Sequence, residues 1–153
     1  MIGAIGINVA HELGHKKEKY KQTMAKALLL PSLYMHFFVE HNLGHHKNVA
    51  TARDRASALV GENLYVFWFR SVTKSYISAW RIEMKGLRRL GKANTIRTNQ
   101  MIHFSTLQGL LLLGIGMYFG TKALFWFSLS AIFSFLLLET INYIEHYGLR
   151  RKS

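Results

Sequence analysis

The sequence predicts an all-α integral membrane protein in which a transmembrane helical hairpin joins a cytoplasmic region built around histidines. Three observations predict it. Two long uncharged runs occupy the C-terminal half, positive charge gathers at their outer ends, and six of the eight histidines fall on that same side. At the usual ~100 to 200 residues per domain, 153 residues make one unit at most. Its 20 Lys+Arg against 8 Asp+Glu give a net charge of +12, yet half of the residues are hydrophobic. Disorder pairs high charge with low hydrophobicity, so a disordered basic tail is excluded. The absence of cysteine excludes a disulfide scaffold, thiolate-bound zinc and iron–sulfur clusters. Any metal must therefore sit on His, Asp or Glu.

The elements follow in chain order. The ten-residue apolar run from Met1 to Ala10 is too short to span a bilayer, and it lacks the basic start and cleavage site of a signal peptide. It reads as the inner end of a helix, its beginning lying upstream, that runs directly into His11. Ala27 to Val39 is a thirteen-residue apolar run interrupted by Pro31, which suggests a buried or re-entrant helix. Arg70 to Arg97 holds eight Lys/Arg against the single acid Glu83. Within it Ile77, Trp80, Met84 and Leu87 recur at helical spacing, predicting an amphipathic helix on the cytoplasmic membrane surface. Nucleic-acid binding is the other use of such charge, but the stretch borders a membrane span and carries no nucleic-acid module signature.

From Thr98 to Thr121 there is no charged residue, and ~20 residues of helix cross a bilayer core. A second run, Ala123 to Leu138, reaches that length only by continuing through Glu139 to Ile144. Spans over 98–119 and 123–144, connected by Gly120, Thr121 and Lys122, make an antiparallel hairpin. Arg150, Arg151 and Lys152 follow the second span, whereas the tip holds Lys122 alone. By the positive-inside tendency the outer ends face the cytoplasm. Residues 1–153 are thus expected to form part of a single domain. Boxes and surface helices occupy 1–97, the two spans follow, and a HYG motif with a basic tail fills 145–153.

The chemistry lies in the histidines. His11 and His15, in HELGH, are four apart and share one helix face. His41 and His45, in EHNLGHH, repeat the spacing, His46 adds a third imidazole, and His146 stands in NYIEHYG. Neutral imidazole ligates Zn, Fe, Cu or Ni, and six exceed what one four-coordinate zinc site uses. Two metals are implied, or one metal with histidines to spare. HELGH alone also fits a zinc protease with Glu12 as general base, a reading that leaves the second cluster unexplained. Glu12 and His15 fit the ExxH element of soluble di-iron bundles, but no second ExxH exists. His36 and His103, isolated on apolar stretches, read as packed or hydrogen-bonded residues. Glu139, charged within or near hydrocarbon, is a site candidate or an interfacial residue at a helix end.

Together, HELGHKKEKY, EHNLGHHKNVATARDRASA and NYIEHYGLRRK resemble the membrane-bound alkane hydroxylases of the membrane fatty acid desaturase/hydroxylase superfamily. HxxxH alone is weak evidence, but the ordered set is specific, and HYGL with VAT favours alkane hydroxylases over xylene-type hydroxylases and desaturases. The resemblance implies a non-haem di-iron monooxygenase of a bacterial inner membrane, its histidine site on the cytoplasmic side. Such an enzyme takes electrons from rubredoxin and uses O2 to convert an alkane drawn from the bilayer into a primary alcohol. It implies His11, His15, His41, His45, His46 and His146 as iron ligands, with Glu12, Glu40, Asp54, Asn142 and Glu145 as supporting partners. Ala52 and Arg55 stand where that family often has proline, which removes no ligand. A further HSDHH-type box downstream of HYGL, and helices upstream of the first box, are implied but lie outside these residues. The chain is therefore expected to be an interior fragment of a longer enzyme, with one iron under-coordinated. A zinc metalloprotease and a non-catalytic membrane fragment are the alternatives. The basic surface from Arg81 to Arg97 suits an acidic electron carrier or anionic lipid.

Overall fold

The computed structural model describes residues 2–45, 51, 54 and 56–149, with side chains from residue 5 onward. Among these residues every regular element is helical. Helix α1, Ile2–Gly14, carries the first apolar run through His11 as expected, and buries Ile7, Ala10 and Gly14 along one face. It packs on α2, Lys19–Leu29. That helix stops two residues before Pro31, whose ring and missing N–H prevent continuation. In the turn that follows, Ser32 Oγ donates to Leu29 O (2.8 Å) and Leu33 takes a positive φ of 53°. Ser32, Tyr34, Met35, Phe37 and Val39 are all buried, so the Ala27 to Val39 run is core, in two pieces. The chain then enters the short helix α3, Phe37–Glu40, which passes without a break into a π-helical turn, His41–His45.

Helix α4, Leu64–Arg89, starts at Asn63, whose side chain accepts from Tyr65 N at 2.9 Å. It ends in a Schellman arrangement: Lys92 N donates to Leu87 O (3.0 Å), Gly91 N to Arg88 O (3.2 Å), and Gly91 takes the left-handed φ of 62°. Its inward face is Phe67 followed by Ser71, Ser75, Ser78 and Ala79, and the four small residues let it pack closely on α3 and on the last helix. The stripe expected from the sequence behaves differently. Leu87 is buried and Trp80 and Met84 half-buried, but Ile77 is 42 % exposed. Tertiary packing selects the serine face, and the Ile77 side is left facing outward.

The last helix, α5, runs Gln100–His146. Asn99 caps it by accepting from Met101 N (2.8 Å) and Ile102 N (3.2 Å), and Glu83 Oε1 accepts from Gln100 N at 2.9 Å. The helix therefore starts two residues after Thr98. Its 47 residues would measure roughly 70 Å if straight, over twice the ~30 Å hydrocarbon core. Gly120 interrupts it with φ 81° and ψ 174°. The break is this single residue, not the expected three, because Thr121 and Lys122 are already helical. A Cβ built on Gly116 would meet the side chain of Leu124 at 3.4 Å. Met101 and Phe104 before the break share one buried cluster with Leu138 after it, together with Ile7, Ala25, Leu29, Tyr34 and Ala79. By length and composition α5 is apolar enough to cross a membrane.

Candidate metal centre

Three segments meet at the end of this core, and each brings histidines. α1 delivers His11 and, just past its end, His15, with ring centroids 4.7 Å apart. The π-turn delivers His41, 4.3 Å from His11 and 5.2 Å from His15, and His45, stacked 5.1 Å from His41. The C-terminal residue of α5 delivers His146, whose ring stands edge-on to His45 at 4.9 Å. Five rings from remote parts of the sequence thus form one connected cluster. Nitrogens of His11, His15 and His41 all lie within 4.8 Å of one another. Metal–imidazole bonds of ~2.0–2.1 Å place opposite ligand nitrogens up to ~4.2 Å apart, so small side-chain adjustments close the three on one ion. The donor set fits a metal that prefers imidazole.

The second box adopts a π-turn that is closely covered at Gly44. A Cβ at Gly44 would meet Glu40 Oε1 at 2.5 Å and Ile82 Cδ1 at 3.1 Å, so the glycine makes room for the buried carboxylate of Glu40. Single π-turns inside helices concentrate at functional sites.

His45 and His146 are each held by an orienting partner. His45 Nδ1 donates to Asp54 Oδ1 at 2.9 Å, which leaves Nε2 as the ring's lone-pair nitrogen. Asp54 is itself held by Ala56 N on Oδ1 (3.1 Å) and Ser57 Oγ on Oδ2 (2.6 Å). This is the carboxylate–histidine arrangement that fixes the tautomer of a metal ligand. His146 Nδ1 donates to Asn142 O at 3.0 Å, again leaving Nε2. Burial pulls the His45 imidazole down, but the hydrogen bond and charge of Asp54 outweigh it and its pKa ends raised. Asp54 mirrors this: burial pushes the carboxyl up, while His45 and Ser57 bring it below its ordinary value. Burial and then neighbouring His11 lower His15, which favours the neutral, ligating form.

The loop after Asp54 is clasped to two helices. Arg70 donates from Nε to Glu62 Oε1 (2.5 Å) and from an Nη to Ser57 O (2.9 Å), Tyr143 O–H to Glu62 O (2.6 Å), and Gly61 N to Tyr147 Oη (2.8 Å). The Arg70 hydrogen bond holds the Glu62 carboxyl below its usual range.

Of the residues expected from sequence, His11, His15, His41, His45 and His146 come together. Asp54 and Asn142 join them through hydrogen bonds, and Glu40 lies buried beneath Gly44. Glu12 and Glu145 are exposed. His46, with Ala52, Arg55 and the basic tail at Arg150, Arg151 and Lys152, lies outside the described residues. His36 is buried away from the cluster between Tyr34 and Tyr76, and His103 is exposed. Sequence reasoning missed Ser57 and Arg70. Serine three residues after Asp54 was the available signal for the first, and the second pairs only through tertiary structure.

The family model for fatty acid desaturases matches residues 1–153. The chain belongs to the fatty acid desaturase family. Within that family it is 38 % identical over 152 residues to alkane 1-monooxygenase 1 of Alcanivorax borkumensis, covering 99 % of this chain and 38 % of that protein. It is 40 % identical over 152 residues to alkane 1-monooxygenase 1 of Pseudomonas aeruginosa, covering 99 % of this chain and 40 % of that protein. The hydroxylase component of a xylene/toluene monooxygenase from Pseudomonas putida is 29 % identical over 150 residues, 97 % of this chain and 40 % of that protein. The chain thus spans about two-fifths of the length of these relatives.

Proposed function

We propose that this chain supplies the metal centre of a rubredoxin-dependent di-iron monooxygenase that converts the terminal carbon of an alkane into a primary alcohol with O2. The observation that carries the reading is the connected cluster of His11, His15, His41, His45 and His146, with His45 oriented by Asp54 and its neighbour His146 by Asn142 O. His46, one residue beyond His45, completes the proposed ligand set. The relatives named alkane 1-monooxygenase support the same chemistry. When bound, iron on these imidazoles supplies O2 activation, consuming two electrons and two protons and leaving one oxygen in the alcohol and one in water.

The residues present do the positioning. Asp54 and Asn142 O hold Nδ1–H of His45 and His146, so both Nε2 lone pairs converge on the site. Phe37, stacked 4.6 Å from His41, and buried Met35 and Val39 keep water from the apolar side. The two halves of α5 are read as an antiparallel transmembrane hairpin. Supporting this are the Gly120 break, the Gly116 to Leu124 approach and the shared burial of Met101 and Leu138. Outward-facing Leu107, Leu110, Phe125, Phe133 and Leu137 then meet lipid, from which an alkane reaches the site. The exposed Arg81, Lys85, Arg88, Arg89 and Lys92 place positive charge on α4 and the turn after it, where anionic lipid or the acidic face of rubredoxin is drawn in. With the positive ends inward, the histidines lie on the cytoplasmic side of a bacterial inner membrane. A zinc protease accounts for His11, Glu12 and His15 but not for the His45–Asp54 pair or His146.

Membranes containing the full-length protein, given rubredoxin, its reductase, a linear alkane and ¹⁸O2, are expected to yield the primary alcohol carrying one ¹⁸O. No labelled alcohol, with peptide cleavage abolished by Glu12→Gln, is the outcome that replaces this reading with the protease.

A further inference from the structure

Glu139 is 2 % exposed, on the second half of α5, where a carboxylate is costly unless something compensates it. Tyr34 O–H donates to Oε1 at 2.8 Å and Ser71 O–H to Oε2 at 2.6 Å. Accepting on both oxygens stabilises the ionised form of the carboxyl against its burial. Among the described residues, however, no Lys, Arg or His forms an ion pair with it. These hydroxyls, with the Asn142 side chain, solvate the charge without neutralising it.

The missing positive charge has an address. Glu139, Asn142 and His146 follow one another at i, i+3 and i+7 on one face of α5, which sets Glu139 about 10 Å below His146 along the axis. On the other side Tyr34 stacks with Phe37 (6.0 Å between centroids), and Phe37 stacks on His41 (4.6 Å). Glu139 thus lies on the helix face that ends at His146 and behind the Phe37–His41 stack, near enough for its charge to act on His45. Neutral imidazoles leave the charge of a bound cation uncancelled, and in a low-dielectric interior that charge is felt over such a distance.

We propose that Glu139 is a positioning carboxylate whose negative charge compensates the metal held by the histidines, acting through space. This rests on the metal-binding reading above. The Tyr34 and Ser71 hydroxyls hold the charge in place and tie the α2–α3 turn and α4 to α5. Its effect is to tighten metal binding and to favour the oxidised metal.

The test uses the full chain in lipid nanodiscs, loaded with Fe(II), with two readouts: iron retained per chain against a graded chelator, and the reduction potential of the bound iron. Glu139→Gln removes the charge and keeps the shape, so iron retention is expected to fall about 10- to 100-fold and the potential to rise. Glu139→Asp keeps the charge while breaking the hydroxyl contacts, and is expected to stay within about threefold of the parent chain with its potential unmoved. Should Glu139→Gln not fold, Tyr34→Phe, which leaves the Ser71 hydroxyl on the carboxylate, is expected to retain iron like the parent. Equal retention and potential in Glu139→Gln and the parent overturn the proposal, as does loss in the charge-preserving variants. A parent chain that holds no iron overturns the metal reading itself, and so is distinguishable from both.

Discussion

Replacing Asp54 by alanine strips the site of its most completely determined support. Three buried donors lose their acceptor: His45 Nδ1–H, Ala56 N–H and Ser57 O–H. Each buried donor left unsatisfied costs about 1–3 kcal/mol, and Ser57 alone is free to rotate toward another acceptor, so the fold loses about 2–6 kcal/mol. The effect on metal binding is separate. With Nδ1–H unheld, the imidazole is free to turn and to place its proton on Nε2, the ligating atom. Loss of such a partner weakens metal affinity by about 10- to 100-fold. Asp54→Asn keeps an acceptor for His45 and removes the charge, so it belongs between the parent and Asp54→Ala. Titration of the metal-free chain with Fe(II) against a competing chelator reads the affinity, and thermal melting by circular dichroism reads the fold. Parent-like affinity in a folded Asp54→Ala chain would refute the assignment of His45 as a ligand oriented by Asp54.

Other consequences follow from particular contacts. Gly44→Ala drives a Cβ to 2.5 Å from Glu40 Oε1, so the π-turn shifts or the carboxylate leaves; a cost of about 1–3 kcal/mol and weaker metal retention are expected by melting and metal analysis. Burial depresses His36 to about 4 from 6.5, so the folded chain keeps it neutral while the unfolded chain protonates. Stability present above pH 6.5 is then lost as pH falls toward 4, by roughly 3 kcal/mol in all, and His36→Leu should flatten that slope in melts run across the range. Glu62, held low by Arg70, contributes stability above its unfolded value of 4.5 that disappears as pH falls through its lower folded value. Arg70→Met should remove that acid limb and loosen the loop after Asp54. Tyr143→Phe, which frees Glu62 O, should cost about 1 kcal/mol and no more.

The histidines were legible because ligation imposes a spacing that shows in sequence. HxxxH brings two rings together at a helix end, and His11 with His15, just past the end of α1, does so at 4.7 Å. The same spacing at His41 and His45 folds differently, as a π-turn with Glu40 packed across Gly44, a feature invisible to spacing. The apolar runs announced α5, and their length required a break, but its reduction to Gly120 alone depended on a positive φ that only the folded backbone displays. On α4 the apolar stripe did not show which face packs inward. Ile77 faces out while Ser71, Ser75 and Ser78 face in, since close packing on α5 rewards small residues over apolar ones. Glu139 stood out as a charge in an apolar run, yet its partners Tyr34 and Ser71 lie 105 and 68 positions away, where no local pattern reaches.

The central claim is that the clustered histidines hold iron. Elemental analysis of the purified full chain, beside His41→Ala and His45→Ala variants, addresses it directly. Up to two iron atoms per chain, markedly reduced in both variants with the fold intact, is the predicted result. One zinc and no iron in the parent chain, or iron undiminished in the variants, would contradict it.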